Sequence, residues 1–193
     1  KDMETQGHCA LNPVAFEEDK YQIKKVANPK KVVIIGGGIG GMETARLCAM
    51  MGHKVDLYEK TDRLGGVFIA AAAPEFKEKD KDLIKWYCTQ IAKLPISVHL
   101  NTEVKDISKL DADEIVIATG SKVRKLPIIG FEKGVEAVDF LLGNKEVGET
   151  VAVIGGGLTG CEIAYDLARK GKKPFIVEMA DDLIKSAGIC AAN

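Results

Sequence analysis

The sequence predicts an α/β fold with a mostly parallel sheet, and two observations support that class. Short apolar runs such as 32–35 and 115–118 alternate with segments of helical periodicity, which is the order of strand–helix–strand units. Two stretches also share one design, VVIIGGGIGGMETA at 32–45 and VAVIGGGLTGCEIA at 151–164, in which an apolar run leads into glycines and then a helix. The chain is therefore predicted to contain the same strand–loop–helix unit twice.

The first unit has the spacing of a Rossmann-like dinucleotide-binding loop. Gly36, Gly38 and Gly41 follow the G-x-G-x-x-G pattern, whose glycines permit a tight turn, close approach of a pyrophosphate and close packing of the helix. The N-terminus of that helix would offer free N–H groups and partial positive charge to phosphates. Glu59 stands 18 residues after Gly41, near the roughly 20 expected for an acid that binds a ribose hydroxyl. The alternative is a packing unit whose loop holds no phosphate.

The second unit aligns with the first without a gap at an offset of 119 residues, and 12 of 28 positions are identical between 32–59 and 151–178. Its loop glycines are Gly155, Gly157 and Gly160, and its acid is Glu178. A complete fingerprint of this kind predicts a second nucleotide site. Because a carboxylate at the position of Glu178 repels a ribose 2′-phosphate, the site is expected to prefer NADH to NADPH.

The two helices are predicted to pack on their sheets through small or apolar faces. The first face consists of Met42, Ala45 and Ala49, and the same offset gives Cys161, Ala164 and Ala168. Pro174 opens the last strand of the second unit, at the position where the first unit has Val55. Since proline removes a backbone donor, that strand is expected to start late or to be distorted.

The remaining elements are predicted from apolar periodicity and turn residues: a loop at 61–66, a helix at 81–94, a strand at 96–104 broken near Asn101, a strand at 113–120 and a helix at 135–143. The strand at 113–120 ends in the small residues Ala118, Thr119 and Gly120. Ligands of open α/β sheets bind beyond the carboxyl ends of the strands, so these residues are expected beside the first glycine loop.

Composition narrows the class of partner. The 193 residues carry a net charge of −1 with acidic and basic residues interspersed, which gives no sign of a nucleic-acid or anionic-membrane partner. The sequence contains no stretch of 18 apolar residues, so no membrane span is predicted. The five cysteines are scattered without a C-x-x-C pair, which favours reduced thiols in the cytoplasm and argues against a dithiol mechanism.

The whole chain resembles a known group of flavoproteins. Two fingerprints about 120 residues apart with ATG between them resemble a two-dinucleotide-binding flavoprotein, in which the first site takes FAD and the second NAD(P)H. HCALNPVAFEE at 8–18 and GHKVDLYEKTDRLGGVFIAAAAPEFK at 52–77 further resemble the C-terminal part of the NADH:flavin oxidoreductases related to old yellow enzyme. That group includes 2,4-dienoyl-CoA reductase, 2-enoate reductase and trimethylamine dehydrogenase.

Spacing and resemblance together predict two sets of cofactor-binding residues and no catalytic side chain. The first set, for FAD, is Gly36, Gly38, Ile39, Gly40, Gly41, Glu59, Lys60, Arg63, Leu64, Gly66, Val104, Ala118, Thr119 and Gly120. The second set, for NAD, is Gly155, Gly157, Leu158, Gly160 and Glu178.

The resemblance also implies how the chain is divided. Residues 1–30 would be an arm that follows an absent FMN barrel and iron–sulfur region of the parent protein, 31–146 the FAD-binding domain, and 147–193 the incomplete start of an NAD(H)-binding domain. Cys9 in CALNP matches the last of four cysteine ligands of a 4Fe–4S cluster. Because the other three would lie upstream of Lys1, Cys9 is expected to carry no metal in this chain.

Two functions are compatible with these motifs. In the first, the chain is a fragment of an NADH-dependent flavin oxidoreductase, of the enoate or dienoyl-CoA reductase type, that passes hydride from NADH to FAD and electrons on to the iron–sulfur and FMN barrel region. In the second, the chain is a structural domain that holds ADP and transfers nothing, as in trimethylamine dehydrogenase. The complete second fingerprint favours the first function. Substrate and oligomeric state stay open.

Overall fold

The chain is described by a computed structural model that covers residue 12 and residues 14–185. It divides into two compact units. The first contains the described residues up to Ile69 together with Lys79–Lys122, and the second contains Ala70–Glu78 and the described residues from Val123 onward. The backbone therefore enters the second unit briefly at Ala70–Glu78 before its final passage after Lys122.

The first unit is a parallel sheet with helices packed on it. Its strands are β1 (Lys31–Ile35), β2 (Lys54–Tyr58), β3 (Ile96–His99) and β4 (Glu114–Ile117). Its helices are α1 (Ile39–Met51) and α3 (Glu78–Lys93), and a short helix α2 (Phe68–Ala71) lies where the chain leaves the unit. The strand order is β3-β2-β1-β4 and every pair is parallel. This confirms the predicted α/β class.

The central position of β1 explains its continuous apolar sequence. It pairs with β2 on one side and β4 on the other, and four of its five residues are buried. Ile34 on β1, Met42 on α1 and Leu57 on β2 are fully buried in one core cluster. Burial of side chains of this size stabilises a fold by about 1.5–3 kcal/mol each. The predicted α1 face is confirmed, since Met42, Ala45 and Ala49 are all buried.

Several boundaries differ from the sequence prediction. Helix α3 begins at Glu78, because a 3-10 turn at Glu75–Lys77 leads directly into it. Strand β3 ends at His99 and the expected strand residues 102–104 form no ladder. The Thr102 N–H instead donates to the Glu59 carbonyl (2.9 Å), so this segment crosses the end of β2. Strand β4 ends at Ile117, which leaves 118–120 irregular.

The second unit has a smaller sheet in the described residues. Strands β5 (Thr150–Ile154) and β6 (Lys173–Val177) are parallel, and helices α4 (Ala137–Leu141) and α5 (Leu158–Arg169) accompany them. The segment Ala70–Glu78 packs on α5 within this unit. Phe76 meets Tyr165 edge-on with ring centroids 5.2 Å apart, and the Lys77 ammonium lies 2.7 Å from the Glu162 carboxylate.

The predicted buried face of α5 is wrong in part. Ile163 and Leu167 form its core with Val153, while Ala164 is only partly buried and Ala168 is exposed. The reason is tertiary: α4 packs on the same cluster through apolar side chains, which turns the buried side of α5 toward Ile163 and Leu167. Asp166 is buried on this helix because its Oδ2 accepts a hydrogen bond from Lys170 Nζ (2.6 Å).

Pro174 does not delay β6, contrary to expectation. The strand starts at Lys173 and pairs with β5 over its whole length. Lys173 N–H donates to the Glu149 carbonyl (2.8 Å). Because donors alternate along a parallel strand, the nitrogen of Pro174 lies on the side away from β5 and its missing N–H removes no bond from this ladder.

Candidate nucleotide-binding sites

In the first glycine loop, packing within the protein accounts for Gly36 and Gly41. Gly36 has φ +111°, and a Cβ placed there would overlap the Ala118 carbonyl oxygen. A Cβ on Gly41 would overlap the Gly36 carbonyl oxygen. The first glycine thus lets the chain leave β1 close to the residues after β4, and the last lets α1 start directly above the loop.

Gly38 is different, because the protein leaves room for a side chain there. Its φ of −72° and ψ of −177° are open to any residue. The nearest atom to a Cβ on Gly38 would be Gly66 Cα at 3.9 Å, and for Gly157 in the second unit nothing lies within 4 Å. Glycine therefore keeps a space open that a Cβ would fill, in front of each helix, which fits the close approach of a phosphate.

Each of these spaces faces the N-terminus of a helix. The first intrahelical bond of α1 is Met42 N–H to Gly38 O (2.9 Å), so the N–H groups of Ile39, Gly40 and Gly41 precede it and have no helical acceptor. The N-cap of α1 is Gly38 and that of α5 is Gly157, neither makes a side-chain cap, and neither helix has an acid in its first turn. Both N-termini can therefore donate to an anion.

The predicted acid of the first unit bonds to the loop itself. Glu59 is 6% exposed, and its Oε2 accepts from Gly37 N–H at 2.7 Å. Its Oε1 accepts from the Thr61 N–H at 2.8 Å. The Thr61 hydroxyl lies 2.8 Å from Oε1 and 2.9 Å from the Arg63 carbonyl oxygen, so these two acceptors share its one proton. Burial alone would raise the pKa of this carboxyl, but the bonds from Thr61 and Gly37 outweigh burial and lower the pKa.

The second unit repeats two of these bonds at equivalent atoms, those from the middle glycine and from the residue two positions after the acid, and takes the third from a different backbone N–H. Glu178 Oε2 accepts from Gly156 N–H (2.5 Å), and Oε1 accepts from Met179 N–H (2.6 Å) and Ala180 N–H (2.7 Å). These bonds, the one from Ala180 foremost, lower the pKa of Glu178. Gly37 and Gly156, the middle glycines of each GGG, were not among the predicted site residues, because the fingerprint leaves those positions free.

The loop after the second strand also returns to the glycine loop in both units. Gly65 N–H donates to the Gly37 carbonyl and Ile184 N–H to the Gly156 carbonyl, both at 2.8 Å. Leu64 and Leu183 hold equivalent places, since a Cβ on Gly37 or Gly156 would lie 2.5 Å from a methyl of its leucine. Leu64, predicted to bind cofactor, therefore has its side chain packed under the loop and against the core.

A cavity of about 270 Å³ opens beside the first loop, at the carboxyl end of the sheet. Six of the predicted residues line it: Gly36, Glu59, Lys60, Val104, Thr119 and Gly120. Sequence reasoning missed six others that line it as well: Ile35, Tyr58, Thr102, Glu103, Ser121 and Lys122. Their only signal in the sequence is adjacency, because each lies within two residues of a predicted residue.

Other predicted residues lie around the loop. Ala118 is beside Gly36, and Gly66, with φ +56°, is beside Gly38. The guanidinium of Arg63 points to solvent and bonds to the Asp62 carboxylate (2.8 and 3.0 Å). In the second unit Leu158 starts α5 and is half-exposed, and a Cβ on Gly160 would overlap the Gly155 carbonyl oxygen, as at Gly41.

The described residues also bear on the metal and thiol predictions. Within 14–185 no group of three or more His, Cys, Asp or Glu side chains is placed to hold a metal ion. Cys9, the expected cluster ligand of the parent, lies outside the described residues. The cysteines with described surroundings, Cys48, Cys88 and Cys161, are free and partly buried. In the described part of the chain no helix has the length and apolar character needed to cross a membrane.

The chain matches one known family model twice. Residues 10–111 and 83–190 match the family described as pyridine nucleotide-disulphide oxidoreductase. The chain belongs to this family. Its two overlapping matches each contain one of the two glycine loops. The family and the open space at Gly38 and Gly157 agree with the predicted cofactors FAD and NAD.

Two curated proteins show which members of the family the chain is similar to. It is 45% identical over 188 residues to cinnamate reductase of Clostridium sporogenes, covering 96% of this chain and 28% of that protein. It is 40% identical to NADH oxidase of Thermoanaerobacter brockii, covering 91% of this chain and 28% of that protein. The chain therefore spans a little over a quarter of these curated relatives.

A solved structure agrees with both the fold and the resemblance. A complex of 2-naphthoyl-CoA reductase with 2-naphthoyl-CoA superposes with a TM-score of 0.89 at 32% identity, covering 96% of this chain and 29% of that one. Together with cinnamate reductase, it confirms the predicted likeness to the nucleotide-binding region of the NADH:flavin oxidoreductases related to old yellow enzyme.

Proposed function

We propose that this family member is the FAD- and NAD(H)-binding part of an NADH-dependent flavin oxidoreductase. One observation carries the proposal: a single chain contains two glycine loops, each with an open space at the helix N-terminus and an acid bonded to its middle glycine. A domain that only holds ADP needs one such loop. The parent would be a larger enzyme, since the relatives are more than three times as long as the matched region.

The first site would hold FAD and the second NAD(H). Around the first loop, the N–H groups of Ile39, Gly40 and Gly41 would donate to the pyrophosphate, and the lone pairs of Glu59 that the protein leaves free would accept from the ribose. The cavity lined by Lys60 and Val104 would take the adenosine, which is the part of FAD these residues can reach. When bound, NADH supplies a hydride and FAD accepts it.

The parent's further chemistry is proposed from its relatives. A reductase of the enoate or dienoyl-CoA type would use these electrons to reduce an activated C=C bond in an FMN barrel, with a 4Fe–4S cluster between the two regions. The names cinnamate reductase and 2-naphthoyl-CoA reductase support a conjugated acid or thioester as the substrate class. A cytoplasmic location is proposed as well, and the free thiols of Cys48, Cys88 and Cys161 support it.

The test uses the full-length protein and the variant Gly38→Val. The wild type should release both FMN and FAD on denaturation. In the native protein, addition of NADH should bleach the flavin absorbance at about 450 nm. Gly38→Val should lack FAD and keep FMN, because the valine side chain fills the space in front of α1. Gly148→Val is the matched control, since a Cβ there would come no closer than 4.0 Å to another residue and Gly148 precedes β5, at the opposite end of that strand from the second loop. Wild-type protein that releases ADP instead of FAD would establish the structural alternative.

A further inference from the structure

Glu59 and Glu178 bond mainly to the protein, although the fingerprint assigns them to ribose. Glu178 accepts three hydrogen bonds from protein N–H groups, and Glu59 accepts two together with a share of the Thr61 hydroxyl proton; in each case one bond comes from the middle glycine of the loop. A carboxylate has about four lone-pair sites, so about one or two are left for a ribose, which has two hydroxyls. Ribose recognition alone therefore does not explain where these oxygens point.

The backbone of Gly37 is held by three contacts with the protein. Its N–H donates to Glu59 Oε2 (2.7 Å), its carbonyl accepts from Gly65 N–H (2.8 Å), and the side chain of Leu64 occupies the place of a Cβ. Gly156 is held in the same three ways by Glu178, Ile184 and Leu183. Each held peptide immediately precedes Gly38 or Gly157, where the open space and the free N–H groups begin.

Charge alone argues against an acid at this position. A carboxylate beside a phosphate loop repels the anion that the loop binds. Recurrence of the same bond in two units with only 12 of 28 positions in common indicates that holding the loop offsets this repulsion. We infer that Glu59 and Glu178 are positioning residues of the phosphate loops: each acts through its middle glycine to fix the N–H groups that follow. The inference rests on the proposed function and assigns these acids a role in phosphate binding in addition to ribose binding.

The sign of one mutational effect separates the two roles. The probe is 2′,3′-dideoxy-ADP, which keeps the adenine and both phosphates but has no ribose hydroxyl for Glu59 to accept. Glu59→Gln removes the negative charge and weakens the bond to Gly37. If Glu59 positions the loop, the variant should bind dideoxy-ADP roughly tenfold more weakly, which is the effect of losing one hydrogen bond to a charged group. If Glu59 only accepts from the ribose, the variant should bind dideoxy-ADP as tightly as the wild type or more tightly.

Binding is followed by amide NMR, because the resonances of Gly36–Gly41 and Gly155–Gly160 report each site separately. Glu43→Gln is the matched control: Glu43 bonds to Arg46 on α1 (2.8 Å) and should leave both affinities unchanged. Exchange of the Gly37 amide in nucleotide-free protein is the second readout. It should accelerate in Glu59→Gln and not in Glu178→Gln, whereas Gly156 should show the reverse.

The outcomes are distinct. Loss of ADP affinity with unchanged or increased dideoxy-ADP affinity in Glu59→Gln overturns the inference and keeps the proposed function. A wild-type chain that binds neither nucleotide at either loop overturns the proposed function, and the Gly37 exchange rate still reports whether Glu59 holds the loop. If Glu59→Gln does not fold, Glu59→Asp replaces it, since aspartate keeps the charge and is one methylene too short to reach Gly37 in the same way. Glu59→Asp should weaken the binding of both ADP and dideoxy-ADP.

Discussion

Glycines that are equivalent in the sequence motif have different physical roles in the loop. At Gly36 the positive φ and the nearby Ala118 carbonyl exclude any side chain. At Gly38 neither the backbone angles nor neighbouring atoms exclude one, which supports the proposed phosphate contact as the reason for glycine. The G-x-G-x-x-G pattern predicted all three glycine positions and their division into packing and binding roles. It could not give the neighbouring atoms that exclude a side chain at Gly36 and Gly41 and leave room for one at Gly38.

That division predicts opposite effects for two alanine variants. Gly38→Ala should fold with a stability within about 1 kcal/mol of the wild type, because its backbone conformation suits alanine, yet it should lose at least tenfold in ADP affinity. Gly36→Ala should destabilise the fold by several times that amount, since the Cβ overlaps backbone and the φ is positive. Urea denaturation and calorimetric titration of ADP measure the two effects. Equal stability losses in the two variants would contradict the assignment.

The low pKa of Glu59 gives its contribution to stability a direction with pH. Hydrogen bonds from Thr61 and Gly37 lower the pKa of the folded state below the ordinary value of 4.5. The stabilisation is therefore complete above about the unfolded-state pKa and is lost as the pH falls through the folded-state pKa. Wild-type stability in urea should drop more steeply below pH 4.5 than that of Glu59→Gln. Parallel curves for the two proteins would show that the carboxylate is not held as described.

At the scale of elements, the strand–loop–helix units could be predicted and the tertiary contacts could not. β1 and the Met42 face of α1 followed from apolar periodicity, because the sheet buries them directly. The buried face of α5 did not, because α4 shares its core. Residues 102–103 and 121–122 border the cavity from loops, where no periodicity marks a side chain as facing a ligand.

The contact between the Ala70–Glu78 segment and α5 can be measured on its own. The Lys77–Glu162 pair is only 18% and 28% exposed, so screening by water is weaker than for a surface pair. A double-mutant cycle of Lys77→Ala and Glu162→Ala should give a coupling energy of about 1 kcal/mol. The exposed Lys173–Glu149 pair is the control, with an expected coupling of about 0–0.5 kcal/mol. Equal coupling at the two pairs would mean that the segment is not held on α5 through Lys77.

At the scale of the whole protein, the second site should make the parent enzyme prefer NADH to NADPH. In the proposed site Glu178 would lie at the adenosine ribose and its charge would repel a 2′-phosphate, so NADH should exceed NADPH in kcat/KM. Glu178→Arg should narrow that preference by at least tenfold. It should also raise KM for NADH, because the acid no longer bonds Gly156. Steady-state kinetics of the full-length protein measure both. A wild type that uses NADPH as well as NADH would contradict the role of this acid.

The path of the backbone through the two units limits how the protein can be taken apart. The nine residues Ala70–Glu78 belong to the second unit, although the chain on both sides of them belongs to the first. A cut after Lys122 would yield a first fragment that still carries Phe76 and Lys77 without their partners on α5. For the same reason, recombination that replaces the second nucleotide unit by a foreign one would have to exchange a short internal stretch of the first as well. Modules of this protein are therefore not interchangeable at a single junction.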